Sequence, residues 1–236
     1  MISIGRTDLY FDIPALSDEY FEEYSTKLFD EWEAYVSEVL RLSDYSLALD
    51  VEEGSIKAIG KIAATLGVIY IGIGQYGSFI SGLNTIHNQV RTVSNYFVDR
   101  AAKPFDSDQV KPRIKKYGES LSRLKNLFVK VQEGELTAEQ AMQEAGKMFG
   151  EEAKSEPGFM EQLHDALKQT PILPQQIQLS IDLEVTEDME LPPSTQMPRQ
   201  QKPPQPKAPP PQSQHLRVEV WRESKKSKRN VRVTKL

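Results

Sequence analysis

The sequence predicts an α+β fold that combines short, half-buried strands with amphipathic helices. Two patterns support this prediction. Apolar and polar residues alternate in the first and last blocks of the chain, which is the period of a half-buried strand. In the middle, apolar residues recur at every third or fourth position, as on one face of a helix. A length of 236 residues is enough for about one to two domains.

Residues 1–55 are predicted to form an acidic β-β-α-β unit. Alternation within residues 2–13 predicts a pair of strands joined by a turn. Residues 18–42 carry apolar side chains at helical spacing, and Ser17 before them is a favourable N-cap. Alternation at 47–51 predicts a third strand. The block holds 14 acidic and 3 basic residues, a net charge of −11, which predicts a separate acidic surface.

Residues 56–103 are predicted to be a long, Gly-rich apolar helix and its continuation. Residues 62–83 contain no charged side chain, and 22 helical residues are enough to cross a bilayer. The sequence therefore predicts a single membrane-spanning segment at 62–83. Five glycines and Gln75 lower its hydropathy slightly below the usual threshold for such segments. The alternative is that the segment is a buried element of the protein's own fold.

Small residues in this block recur at four-residue steps. Gly74, Ser78 and Gly82 form one set, and Gly60 and Ala64 form an earlier pair. This spacing lets two helices approach closely in lipid, where apolar side chains gain nothing from leaving the solvent. These five residues are therefore the predicted helix-packing positions of a homo-oligomer.

The same block contains the pattern G-x-G-x-x-G at Gly72, Gly74 and Gly77. After a strand, such glycines let backbone amides at a helix N-terminus contact a pyrophosphate. A dinucleotide-binding fold also needs strands and helices that alternate, and residues beyond 100 do not show that pattern. Nucleotide binding is thus a less favoured alternative, and we expect no cofactor.

The rest of the chain divides into four segments. Residues 104–170 show apolar stripes at helical spacing and a capping box at Thr137, which predict a helical module. Strict alternation within 171–191 predicts an acidic strand. Most of the prolines fall in 192–214, which predicts an extended linker. Alternation resumes in 215–236 and predicts a basic C-terminal β-hairpin.

The predicted hairpin turn contains Lys225, Lys226, Lys228 and Arg229. A basic hairpin can contact the phosphates of nucleic acid or of anionic lipid. Because Trp221 is the one aromatic residue of this segment, stacking on bases has little support, and a nucleic-acid partner is not favoured. Solvated charge on a small element is the simpler interpretation.

Composition excludes several kinds of site. The chain has no Cys and only three His, which excludes disulfides, thiolate nucleophiles and Cys-ligated metals. His87, His164 and His215 have no Ser or carboxylate at a spacing that imposes catalytic geometry. We therefore predict a non-enzymatic protein without catalytic or metal-binding residues.

These patterns predict a membrane-associated, self-associating interaction protein of the scaffold or pore type. The predicted partners are further copies of the chain, another protein and membrane lipid, and the predicted location is the membrane. Asp8, Asp12 and Asp18 stand where a secretory signal needs apolar residues, so no such signal is predicted. The alternative function is a soluble, cytoplasmic adaptor or assembly subunit whose apolar segment is buried in its own fold or by a partner.

Overall fold

The computed structural model describes residues 1–13, 16–53, 55–105, 112–172 and 216–236. These residues form seven helices and six strands, which confirms the predicted α+β class. The strands are β1 (Ile2–Phe11), β2 (Ser46–Glu52), β3 (Ile56–Ala64), β4 (Arg113–Tyr117), β5 (Leu216–Arg222) and β6 (Asn230–Lys235). The helices are α1 (Asp18–Val39), α2 (Leu66–Gly74), α3 (Phe79–Ala102), α4 (Glu119–Gln132), α5 (Ala138–Phe149), α6 (Glu151–Ser155) and α7 (Pro157–Lys168).

All six strands lie in one antiparallel sheet with the order β4-β1-β3-β2-β5-β6. One face of the sheet packs against helices, and the core lies between them. At its centre, Gly60 of β3 sits close to the rings of Phe97 in α3 and Trp32 in α1. A β carbon at Gly60 would lie 3.2 Å from Phe97 and 3.3 Å from Trp32, so a small residue lets both helices pack close to the sheet.

β1 is one long strand where the sequence predicts two. The expected turn residues pair with β3 instead, and Arg6 lies opposite Lys61. The register shifts between Ser3 and Gly5, as at a β-bulge. Beyond the extra residue of a bulge, the odd-numbered side chains take the face that the even-numbered ones had before it. This shift is why Ile4 and Leu9, which differ in parity, are both buried.

The predicted apolar helix at 62–83 is wrong as a single element. Residues 56–64 form β3, in which Lys57 and Lys61 alternate with buried residues. Thr65 then caps α2, and its hydroxyl accepts a hydrogen bond from the Val68 N–H. The helix ends at Gly74, before α3 begins. A run of apolar residues without regularly spaced polar residues has no period that distinguishes a strand from a helix. This is why the sequence predicted one helix here.

Among the described residues, no single helix has the length and hydropathy needed to cross a membrane. Taken together, α2 and α3 meet these criteria, but the chain bends by 113° between them. Most large side chains of 62–83 pack inside the fold, whereas Ile71 and Ile80 are exposed. The buried ones are Ile62, Leu66, Ile69, Ile73, Phe79 and Leu83.

Several other predictions can be compared with the structure. The basic hairpin is confirmed as β5 and β6, and the capping box at Thr137 is confirmed with Gln140. The 104–170 segment contains four helices and also β4, an edge strand that the sequence assigns to a helix. The acidic strand and the Pro-rich linker fall almost wholly in 173–215, outside the described residues. The segment boundaries stay predictions, although strands from four segments share one sheet.

The packing of α2 against α3 can be tested at two glycines. A β carbon at Gly82 would lie 2.5 Å from the carbonyl oxygen of Ile73, whereas one at Gly74 would meet nothing within 4 Å. We expect Gly82→Ala to lower the free energy of unfolding by about 1–3 kcal/mol through overpacking. Gly74→Ala, the matched control, should be neutral or raise it by up to about 1 kcal/mol. Urea denaturation measures both, and equal effects would contradict this packing.

Candidate functional site

β6 is an edge strand with one open side. It pairs with β5 from Asn230, opposite Trp221, to Lys235, opposite Leu216. No described strand pairs with its other side, and every one of its residues is exposed. An edge of this kind presents unpaired backbone N–H and C=O groups to another chain.

Two half-exposed valines lie on the core-facing side of β6. Val231 and Val233 stand opposite Val220 and Val218, which are fully buried. The exposed fractions of the two β6 valines are 40% and 41%. The apolar layer of the sheet therefore continues onto β6 but is only partly covered there.

Opposite charges hold the basic hairpin against the acidic first block of the chain. The guanidinium of Arg217 contacts both carboxylate oxygens of Asp50 across the β2–β5 pair. Further pairs run along α1, so the acidic helix neutralises part of the basic hairpin. The ion pairs between the two blocks are Arg217–Asp50, Arg222–Glu33, Arg229–Asp30 and Lys235–Asp18.

Asp44 fixes the turn between β5 and β6. Its Oδ1 accepts hydrogen bonds from the Lys225 N–H and the Ser224 hydroxyl, both at 2.8 Å, and from the Tyr45 N–H at 2.9 Å. Burial alone would raise the pKa of Asp44, but these hydrogen bonds outweigh burial and lower the pKa. The Lys225 ammonium also lies 5.6 Å from the ring centre of Tyr45.

The four predicted basic residues thus have different surroundings. Lys225 and Arg229 make the contacts within the chain described above, whereas the side chains of Lys226 and Lys228 are exposed. Half of the predicted cationic cluster already faces groups of the same chain. Nucleic-acid binding by this cluster stays a prediction.

The five predicted helix-packing residues do not share a helix face. Gly60 and Ala64 lie in β3, Gly74 ends α2, and Ser78 caps α3 by accepting a hydrogen bond from the Ser81 N–H. Gly82 lies in α3 against the backbone of Ile73 in the same chain. The prediction that these residues lie on one helix is therefore wrong, because the chain changes element twice between Gly60 and Gly82.

The G-x-G-x-x-G pattern does not stand between a strand and a helix. Gly72 and Gly74 lie inside α2, and Gly77 has a φ of 78° in the bend before α3. Only Gly77 needs the conformational freedom of glycine in a turn. The pyrophosphate-binding geometry expected of this pattern is not formed.

The structure brings together residues that the sequence analysis did not connect. His87 and Ser122, which are 35 positions apart, form a hydrogen bond of 3.1 Å. His164 lies on α7, and His215 is outside the described residues. Within the described part of the chain, no three metal-ligating side chains come together. The alternation of NVRVTKL predicts β6, but the strand order that leaves Val231 and Val233 exposed has no local signal.

No family model, no curated protein and no solved structure matches the chain. The geometry of β6 and of the residues around it is therefore the basis for a functional proposal.

The role of Asp44 can be tested by Asp44→Ala. We expect the free energy of unfolding at neutral pH to fall by about 1 kcal/mol, because three donors lose an acceptor at a partly solvated site. Because the pKa of Asp44 is lower in the folded state than in the unfolded state, the carboxylate stabilises the fold at pH values above the unfolded-state pKa. This contribution is lost as the pH falls through the folded-state pKa.

The difference between wild type and Asp44→Ala should therefore shrink as the pH falls below about 4, the ordinary pKa of Asp. Denaturant titrations at a series of pH values measure it. Asp12→Ala, at an exposed residue, is the control and should change the free energy of unfolding little at neutral pH. A destabilisation by Asp44→Ala that is constant with pH would contradict the role of the charged form.

Proposed function

We propose that the protein is a non-enzymatic interaction module that self-associates through β6, so that two copies join their sheets edge to edge. The observation that carries this proposal is the open edge of β6 with its half-exposed Val231 and Val233. Pairing two such edges satisfies backbone groups of β6 that no described strand pairs. It also buries apolar surface that the helices leave uncovered.

A symmetric pair of β6 strands has a favoured register. Directly opposed residues in an antiparallel pair lie on the same face of the sheet. With Val233 of one copy opposite Val233 of the other, Val231 lies opposite Lys235 and Arg232 opposite Thr234. A pair centred on Arg232 would place two like charges opposite each other, which is destabilising.

The other edge of the sheet is less suited to pairing. β4 has the sequence RIKKY, in which three of five residues are basic. Charged residues of this kind block edge-to-edge contacts, and a β4–β6 contact would bring these cations towards Arg232 and Lys235. A β6–β6 contact uses the same surface on both copies, so it closes as a dimer and does not extend into a filament.

This self-association does not require a membrane helix. The large apolar side chains between residues 62 and 83 are mostly used in the protein's own core. That burial supports the adaptor or assembly-subunit function over a membrane-spanning pore.

Because the chain has no Cys, single-cysteine variants can test both the dimer and its register. Oxidised Val233→Cys should form a covalent dimer, because residues directly opposed in an antiparallel pair have α carbons about 4.5–5.5 Å apart, within disulfide range. Val231→Cys is a matched control with the same face and exposure, and it should remain largely uncrosslinked because it faces Lys235. Non-reducing gels and intact mass measure both.

A charge in the contact gives an independent test. Val233→Glu should shift wild-type dimers to monomers in light scattering coupled to size-exclusion chromatography. It should leave the circular dichroism spectrum unchanged, because Val233 is already 41% exposed. A wild-type protein that is monomeric at all concentrations would overturn the proposal. Equal crosslinking at positions 231 and 233 would overturn the register.

A second candidate function is membrane contact at the bend between α2 and α3. The exposed fraction of Ile71 is 60% and that of Ile80 is 37%, and residues 75–78 between the helices carry no charge. An uncharged tip with exposed apolar side chains favours shallow insertion at a bilayer surface. This contact retains the predicted membrane association without a spanning helix.

Sedimentation with phospholipid vesicles, in the absence of detergent, tests the second candidate. Wild-type protein should move into the vesicle pellet, and Ile71→Asp should return it to the supernatant because a carboxylate resists transfer out of water. Ile172→Asp is the control, since Ile172 is 71% exposed but lies away from the bend in sequence. Wild-type protein that stays in the supernatant would exclude this function.

A further inference from the structure

A pocket of about 330 Å³ lies beside β4, which is the edge strand at the other end of the sheet from β6. This volume is within the range of small-molecule sites, about 300–1,000 Å³. Residues of α3, β4 and the start of α4 form its walls. The lining residues are His87, Val90, Arg91, Ser94, Lys116, Tyr117, Gly118 and Ser122.

The polar groups of this pocket favour an anion. Arg91 and Lys116 supply two cationic groups, and the described residues of the lining include no carboxylate. Lys125 of α4 adds a third positive charge close enough to act on His87. A pocket with several cations and hydroxyls is suited to a ligand that carries more than one negative charge.

His87 and Ser122 form a hydrogen-bonded pair in this pocket. The distance between His87 Nε2 and Ser122 Oγ is 3.1 Å. Gly118 leaves space for this pair, because a β carbon there would lie 1.8 Å from Ser122 Oγ and 3.2 Å from His87 Nε2. The other ring nitrogen of His87, Nδ1, is buried. The neighbouring Asn88 side chain acts on the ring and opposes the lowering of its pKa.

The first turn of α4 adds partial positive charge. Gly118 is its N-cap residue and has no side chain to accept the first N–H groups of this 14-residue helix. Free N–H groups and the helix dipole favour an anion at such an end. The acidic residue of the first turn, Glu119, acts on Arg6 of β1 and is not among the residues that line the pocket.

The same surroundings favour binding over nucleophilic catalysis. Burial, followed by the charges of Lys125 and Arg91, lowers the pKa of His87 and favours its neutral form. A Ser–His nucleophile needs its imidazolium to be stabilised, usually by a carboxylate on the second nitrogen. The described residues supply no such carboxylate to His87 Nδ1.

We propose that this pocket binds a small phosphomonoester. Arg91 and Lys116 pair with the phosphate oxygens. The Nε2–H of neutral His87 donates to the Ser122 hydroxyl, which leaves the Ser122 proton free to be donated to a phosphate oxygen. A phosphate dianion matches two cations better than a single carboxylate does. The volume of the pocket exceeds that of a phosphate ion, which leaves room for the organic group. This inference does not depend on the proposed dimer.

The test is titration calorimetry of the full chain with glycerol 3-phosphate, with glycerol and inorganic phosphate as comparisons. We expect saturable binding of glycerol 3-phosphate, weaker binding of inorganic phosphate and none of glycerol. Lys116→Gln should weaken the binding by about tenfold or more, because a charge-assisted hydrogen bond is lost. Lys115→Gln is the matched control, since Lys115 is the neighbouring residue on the opposite face of β4 and should leave the affinity unchanged.

Proton NMR of the histidine rings provides a second measurement. The signals of His87, assigned with His87→Gln, should move on addition of glycerol 3-phosphate, whereas those of His164 on α7 should not. Absence of saturable binding, equal affinity of Lys116→Gln and wild type, or equal binding of glycerol and its phosphate would overturn the proposal. Inorganic phosphate that binds more tightly than the ester would identify free phosphate as the ligand and overturn the assignment to an ester.

Discussion

The pairing of β5 with β2 is the constraint on which most of the structure depends. It joins residues that are more than 160 positions apart, and it is closed at one end by Glu53 and Leu216. The Glu53 N–H donates to the Leu216 carbonyl at 2.8 Å, and the Glu53 carboxylate accepts from the Leu216 N–H at 3.1 Å. Val218 and Val220 then complete the buried face of the sheet. Once β5 takes this position, β6 becomes the edge strand.

The same pairing explains the uneven charge of the chain. The first 55 residues have a net charge of −11, and the hairpin is strongly basic, which suggests two unrelated surfaces when the sequence is considered alone. In the fold these blocks meet, and Arg222 and Arg229 contact carboxylates of α1. Exposed ion pairs contribute little to stability one by one. Several ion pairs along one helix nevertheless favour this orientation of the hairpin relative to α1 over the reversed orientation.

The sequence predicted correctly the elements that are defined by capping residues or by alternation within the element itself. Ser17 caps α1, Pro157 begins α7, and strict alternation identified β2 and the hairpin. The sequence failed where tertiary contacts decide: β3 became a strand because it lies between β1 and β2, although its continuation is apolar enough for a helix. The candidate sites were missed for the same reason. Neither the exposure of Val233 nor the contact of His87 with Ser122 can be derived from residues near each in sequence.

The proposed dimer surface on β6 and the proposed anion pocket beside β4 lie at opposite edges of one sheet. Four strands separate β4 from β6, and neighbouring strands lie about 4.8 Å apart, so the edges are roughly 24 Å apart. A dimer formed through β6 therefore leaves β4 and its pocket accessible on both copies. Two copies joined in this way would present one anion-binding pocket at each end of a continuous sheet. Binding there would couple to self-association only if a shift in β4 were transmitted through β1, β3, β2 and β5, and these strands are held on both sides by their neighbours.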